Sequence, residues 1–229
     1  MIIIKYQKLY LTCIALFIIT LTQAQLFNDP ECWNTFGLKW TLNEKFSFQG
    51  ESQVRSSGLY REFYHVDAKF NAYYSMNDMI RFVAGTGRYN VFTKGGDFVK
   101  PLVFTETRIW EEINLEKTVS RFIFENRDRL EQRFTSDGYK NRFKIRFGLT
   151  IPLNHPSLIP KTIYAYIYDD IFYVKKIEVN RIFGGFGYKA GFLTFQAGWM
   201  HQVKYTADIK DYLNVLMVSM IVEIKHRRI

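Results

Sequence analysis

The sequence predicts an all-β chain folded as an antiparallel, up-and-down β-barrel of the transmembrane type. Three observations carry that reading. Apolar and polar residues alternate with a period of two along many segments. The segments run to roughly ten to fifteen residues, longer than the five or six usual in soluble sheets and long enough to cross an outer membrane. The chain is also rich in both aromatic residues (17%) and Lys plus Arg (31 of 229), yet is only 48% hydrophobic. Such a composition fits a protein whose aromatic and charged residues occupy opposite faces.

The first element is an export signal. Lys5 and Lys8 precede an apolar run from Leu9 to Leu21, which Thr22-Gln23-Ala24 closes. A basic start, a short apolar core and a small residue before a polar one make a secretory signal peptide, with cleavage expected after Ala24. Residues 25–229 are then expected to form one domain. Cys13 leaves with the signal, so Cys32 is the single remaining thiol and no internal disulfide is expected. The formal net charge of +9 falls to about +7 once Lys5 and Lys8 are removed. Export also removes nucleic acid from the partners that a basic, aromatic-rich composition would suggest.

The strands follow in order. In Thr35–Leu42, Phe36, Leu38, Trp40 and Leu42 share one face. In Phe46–Arg55, Phe46, Phe48 and Val54 oppose Gln49, Glu51, Gln53 and Arg55. In Glu62–Ser75, Tyr64, Val66, Ala68, Phe70, Ala72 and Tyr74 oppose His65, Asp67, Lys69 and Asn71. Further strands are expected near Met79–Val91, Leu102–Ile113, Thr118–Phe134, Tyr139–Ile151, Thr162–Phe172, Val179–Ala190, Leu193–Tyr205 and Tyr212–Ile224. Asn43-Glu44-Lys45, Asn77-Asp78, Gly95-Gly96-Asp97, Ser136-Asp137-Gly138 and Asn154-His155-Pro156 supply turn chemistry between them. Short connections near 43–45, 76–78, 114–117 and 191–192 alternate with longer ones near 56–60, 92–101, 169–178 and 205–211, as in outer-membrane barrels. The segments number about eleven, but single-chain bacterial barrels carry an even number. The expectation is therefore 10–12 strands, with 12 favoured.

The most informative segment is a charged ladder. Glu125, Arg127, Arg129, Glu131 and Arg133 share a face of one strand, and Lys140, Arg142, Lys144 and Arg146 a face of the next. Pairing Phe134 with Tyr139 sets Glu131 opposite Arg142, but Arg133 opposite Lys140, Arg129 opposite Lys144 and Arg127 opposite Arg146. Like charges directly opposite are unfavourable, so acids from a neighbouring strand are required. Glu106, beside Arg108, is one candidate. The ladder is expected to fill the barrel interior and hold its shape. A functional reading is a basic lumen that attracts anionic solutes or lipid head groups. Asn126 and Asp128 fall on the otherwise apolar face, where a charge facing lipid is costly. Either a bulge re-aims Asp128, or this part of the strand stands above the bilayer.

Glu125-Asn-Arg-Asp-Arg-Leu-Glu-Gln-Arg-Phe134 and Asn141-Arg-Phe-Lys-Ile-Arg-Phe147 resemble the exported bacterial domain-of-unknown-function family 2490. So do Tyr168-Asp169-Asp170-Ile171-Phe172, Asn180-Arg181-Ile-Phe-Gly-Gly-Phe-Gly-Tyr188, and Trp33 followed by Gln53-Val-Arg55. The resemblance covers nearly the whole mature chain. It implies a β-barrel-like outer-membrane protein and transfers no catalytic residue. Many outer-membrane barrels end in an aromatic residue, whereas this chain ends His226-Arg227-Arg228-Ile229.

Little else in the sequence points to chemistry. His65, His155, His201 and His226 are scattered without metal-ligand spacing, and no metal or cofactor is expected. His65 and Asp67 read as a hydrogen-bonded luminal pair. Gly184-Gly185-Phe186-Gly187 lies in a strand, where glycine marks a bend or a close backbone approach rather than a phosphate loop. Asp169-Asp170 reads as a solvated turn or a partner for luminal Arg, ahead of a cation site. His201 and Ser219, on the last two strands, are the candidates for a membrane-embedded lipid hydrolase, and nothing in the sequence orients them as base and nucleophile. Trp40, Tyr64, Tyr74 and Trp199 are candidates for an interfacial aromatic girdle. The leading expectation is a non-enzymatic outer-membrane barrel in contact with lipid, acting as a narrow or plugged pore, or as a structural or lipid-binding barrel. A lipid hydrolase and a soluble periplasmic β-protein that binds an acidic partner are the alternatives.

Overall fold

A computed structural model of the chain describes residues 30–95, 98, 101–206 and 209–225. Residues 1–29, where the signal peptide is expected, and residues 96, 97, 99, 100, 207, 208 and 226–229 lie outside the described residues. Eleven strands follow one another: β1 (Glu31–Thr41), β2 (Phe46–Ser57), β3 (Glu62–Ser75), β4 (Ile80–Phe92), β5 (Leu102–Val119), β6 (Phe122–Thr135), β7 (Gly138–Pro152), β8 (Thr162–Tyr173), β9 (Ile177–Ala190), β10 (Leu193–Tyr205) and β11 (Lys210–Lys225). Each pairs antiparallel with the next, and β1 pairs with β11 to close the barrel.

The expected twelfth strand is absent among the described residues. In a meander of eleven strands, the first and last run in the same direction, so the seam must be parallel. Glu31 pairs with Val215 and Thr41 with Lys225, both strands advancing together. The alternating segments had the count right, and the even-number rule displaced it. The rule describes barrels closed by an antiparallel seam, and a parallel ladder closes this one at slightly lower stability per residue.

Two other boundaries differ from expectation. Residues 114–117 are not a connection, because β5 continues to Val119 and the chain reverses at Ser120-Arg121. There Ser120 takes a positive φ of 56°. Residues 169–173 belong to β8, which leaves a connection of only 174–176. The contrast in length between the two ends is therefore weaker than expected. The long loop 153–161 lies at the same end as the tight 42–45 turn, and the two-residue Ser136-Asp137 turn lies at the other. The tight turns form as their side chains dictate. Asn43 Oδ1 accepts from the amides of Lys45 and Phe46, and Asn77 Oδ1 from those of Met79 and Ile80.

Every strand presents exposed large apolar side chains outward, among them Phe36, Phe70, Ile113, Phe147, Phe186 and Phe195. The inward face buries Asp67, Glu106, Glu112, Glu131 and Asp170. Three bulges interrupt the ladders, and in two of them the extra residue reaches a charged group of the interior. Arg55 pairs with His65 and Ser56 with Phe63, so Tyr64 is the extra residue. It turns to the carboxylate of Glu31, to which its hydroxyl donates at 2.6 Å. Tyr64 thus leaves the expected outer girdle, while Trp40 and Tyr74 remain exposed. The second of these two falls where Phe172 pairs with Val179 and Tyr173 with Ile177. It leaves Glu178 as the extra residue, with its carboxylate 3.9 Å from both Arg133 and Arg142.

Glycine permits two close approaches. Gly185 on β9 faces Gly198 on β10. A Cβ on Gly185 would lie 2.7 Å from the Gly198 Cα and closer still to the Ala197 carbonyl oxygen. Gly85 is overlain by the Trp110 indole, which would collide with any side chain there. This run is the close backbone approach that a strand glycine marks.

Candidate functional site: a charged interior

The charged ladder projects into the barrel. The β6–β7 register sets Arg127 opposite Arg146, Arg129 opposite Lys144, Glu131 opposite Arg142 and Arg133 opposite Lys140. Three of the four rungs are therefore like-charged, and acids from both flanking strands and from the hairpin itself compensate all of their cations but Lys140. From β5, Glu106 accepts from Arg133 and, at 2.8 Å, from Arg108. Glu112 accepts from Arg129 at 2.5 Å. From β8, Asp170 takes Arg146 through two hydrogen bonds of 2.6 and 2.7 Å and holds Lys144 at 3.1 Å. Within the hairpin, Glu125 pairs with Arg127 at 2.7 Å. Glu131 takes two hydrogen bonds from Arg142, at 2.9 and 2.6 Å. Lys140 differs from the rest of the ladder. It lies in the exposed start of β7 beside the hairpin turn, and among the described residues no acid pairs with it.

The other half of the interior is apolar. Trp33, Tyr168, Phe183, Met200 and Val215 form a buried cluster contributed by β1 and β8–β11. Guanidinium groups stack on aromatic rings, at the border with the apolar cluster and within the charged half. Arg146 lies 3.8 Å from the Tyr168 ring centre, Arg108 3.7 Å from Tyr89 and Arg129 5.0 Å from Trp110. A barrel of more than eight strands has more room than one layer of side chains fills. Here a cavity of about 560 Å³ remains between the two halves.

The sequence did not single out one part of this cavity. Arg55 pairs with Trp33 across the β1–β2 ladder, and its guanidinium carbon lies 3.7 Å from the centre of the indole. Arg181, from β9, reaches the same ring at 5.1 Å and the Phe172 ring at 4.7 Å. Arg181 Nε donates to Gln202 at 2.7 Å; Asp170 faces it across the β8–β9 ladder, but among the described residues no carboxylate lies within ion-pair distance of it. Arg55 Nε donates to Gln53 at 2.8 Å, and its terminal nitrogen is 3.7 Å from Asp67. The alternation put Arg55 on a luminal face. Its meeting with Arg181 depends on barrel closure, which strand parity does not encode.

The remaining candidates fall as follows. His65 Nε2 is 3.1 Å from Asp67, the expected luminal pair. Asp170 is the partner for luminal Arg, while Asp169 points outward and accepts from Asn180 on β9. His201 and Ser219 lie on opposite faces of the wall. His201 Nδ1 contacts Asn214 at 3.0 Å on the outside, whereas Ser219 donates to Gln196 at 3.2 Å on the inside. They form no base–nucleophile pair. Asp128 does face outward from the middle of β6. The β5–β6 and β6–β7 registers run through it without a bulge, so no bulge re-aims it. Its Oδ1 accepts from Asn126 at 3.3 Å. Among the described residues no group of His, Cys, Asp and Glu is arranged to hold a metal ion.

A family model described as a protein of unknown function, DUF2490, matches residues 31–213. The match runs from the first residue of β1 into β11 and so takes in the whole ladder. No curated protein and no solved structure matches the chain.

Proposed function

The chain belongs to the DUF2490 family, whose description assigns no activity, and from that premise we propose that it is an outer-membrane β-barrel with a side-chain-filled interior. One observation carries the reading: the two surfaces are inverted relative to a soluble protein. Large apolar side chains are exposed around the whole wall, while carboxylates and guanidiniums are buried inside. In water the exposed aromatic and aliphatic surface would be a large unfavourable patch. In lipid it is the ordinary outer face of a barrel. The export signal read from residues 1–24 agrees with this destination.

The interior supports a passive role. Ion pairs linking β5, β6, β7 and β8 cross-brace one half, and an apolar cluster occupies the other. That arrangement suits a narrow or plugged lumen better than an open channel. Membrane fractionation and heat-modifiable gel mobility test the location. The protein is expected in the outer-membrane fraction, with the unheated form migrating faster. Recovery in the soluble periplasm would overturn the proposal. Planar-bilayer recordings are expected to show no large conductance steps.

A further inference from the structure

We propose that Arg181 and Arg55, which reach the Trp33 indole from two separate strands, form a binding site for a small carboxylate carried on an apolar body. Three features of the interior converge on this ligand.

The first is uncompensated charge. The ladder arginines are matched by Glu106, Glu112, Glu125, Glu131 and Asp170. Asp170 stands opposite Arg181 on the β8–β9 ladder, but its carboxylate is taken by Arg146 and Lys144; among the described residues no carboxylate lies within ion-pair distance of Arg181, and its hydrogen bond to neutral Gln202 uses only Nε. Arg181 lines the cavity, and no hydrogen bond from its terminal nitrogens is made to another described residue. Two guanidiniums held against one ring repel each other, and a bound oxyanion would relieve that repulsion. Guanidinium also matches a carboxylate through paired, parallel N–H···O bonds.

The second feature is the surface beside the cations. Trp33 belongs to the cluster of Tyr168, Phe183, Met200 and Val215. Trp33, Tyr168, Phe183 and Met200 line the same cavity as Arg55 and Arg181. The rest of the cavity is lined by the charged ladder, so this stretch is where polar groups can fix one end of a ligand while its body lies on an apolar wall, a plan small-molecule sites use. A bare inorganic anion would leave that wall unused.

The third feature is access. Trp33 lies near the start of β1, Arg55 near the end of β2 and Arg181 near the start of β9. All three therefore sit towards one rim, the end that carries the 58–61 and 174–176 connections, rather than at the waist. The proposal needs only a closed barrel. It holds whether the barrel lies in a membrane or not, so its failure and a failure of the location reading are separate results.

The test is calorimetric titration of the full folded protein in non-ionic detergent, blanked against detergent alone. The probes are hexanoate, acetate and hexylammonium. Hexanoate is expected to bind saturably and about tenfold or more tighter than acetate, and hexylammonium not to bind. Arg181→Gln is expected to weaken hexanoate by about tenfold or more, and Arg181→Lys by less. Absence of saturable hexanoate binding, equal binding of acetate, binding of hexylammonium, or an unchanged affinity in a folded Arg181→Gln would each overturn the site. Should Arg181→Gln fail to fold, the order of the three probes on the wild-type protein decides.

Discussion

Glu131 and Arg142 face each other across the β6–β7 ladder, and the carboxylate takes both guanidinium hydrogen bonds, at 2.9 and 2.6 Å. Both residues are buried. This is the one oppositely charged rung in a ladder of like-charged neighbours. Glu131 also lies 3.7 Å from Arg129, which Glu112 holds at 2.5 Å, so removing its charge strands Arg142 and leaves Arg129 with one carboxylate instead of two.

Glu131→Gln is expected to destabilise the barrel by roughly 3–5 kcal/mol, the usual cost of stranding a buried charge. Replacing both partners, as in Glu131→Leu with Arg142→Leu, is expected to restore much of that loss. Equilibrium unfolding in urea of the detergent-folded protein reads both. If the double variant is no more stable than Glu131→Gln, the pair is not the brace described.

Asp128 yields the opposite sign. It faces outward from the middle of β6, and among the described residues its one side-chain hydrogen-bond partner is Asn126. In lipid an outward carboxylate is unfavourable, though less so than Arg or Lys. Asp128→Leu is expected to raise folding stability in phospholipid vesicles by about 1–2 kcal/mol. Urea unfolding monitored by tryptophan fluorescence measures it. A neutral or destabilising result would place Asp128 in water.

The β6–β7 hairpin was legible residue by residue because two signals with a period of two, charge and hydrophobicity, run in antiphase along both strands. Only one register keeps both faces consistent. Tyr64 and Glu178 were not legible, because each is the extra residue of a bulge and a single inserted residue reverses the face. The acids that neutralise the ladder were half legible. Glu106 stands out beside Arg108, whereas for Asp170 the sequence leaves a solvated turn and a partner for luminal Arg both open. The Arg55–Trp33–Arg181 grouping lay beyond reach. Arg181 is brought to Trp33 by β9, β10 and β11 curving round to meet β1, a consequence of closure rather than of local pattern.

Gly185 tests how tightly β9 and β10 approach. Gly185→Ala would set a methyl 2.7 Å from the Gly198 Cα, with backbone rather than a flexible side chain in the way. Overpacking of this kind costs roughly 1–3 kcal/mol. At Gly50, on the outer face of β2, nothing lies within 4 Å of an added Cβ. Gly50→Ala is therefore expected to fold as the wild type, while Gly185→Ala lowers the urea midpoint. Equal midpoints for the two variants would contradict the close approach.

The parallel seam admits a direct test of strand number. Phe36 pairs with Met220, and Trp40 with Ile224. Both pairs point outward, at the spacing of neighbouring strands, which a disulfide can span. With Cys32→Ser removing the native thiol, the pairs F36C/M220C and W40C/I224C are each expected to cross-link under mild oxidant. The reasoning turns on direction. Moving four residues forward along β1 moves four residues forward along β11 only if the strands are parallel. In an antiparallel seam the same step would move four residues back, so at most one of the two pairs could form. A cross-link in each variant, read as a reductant-sensitive mobility shift after boiling, fixes both the parallel closure and the odd number of strands. Cross-linking in only one would return the barrel to an even count.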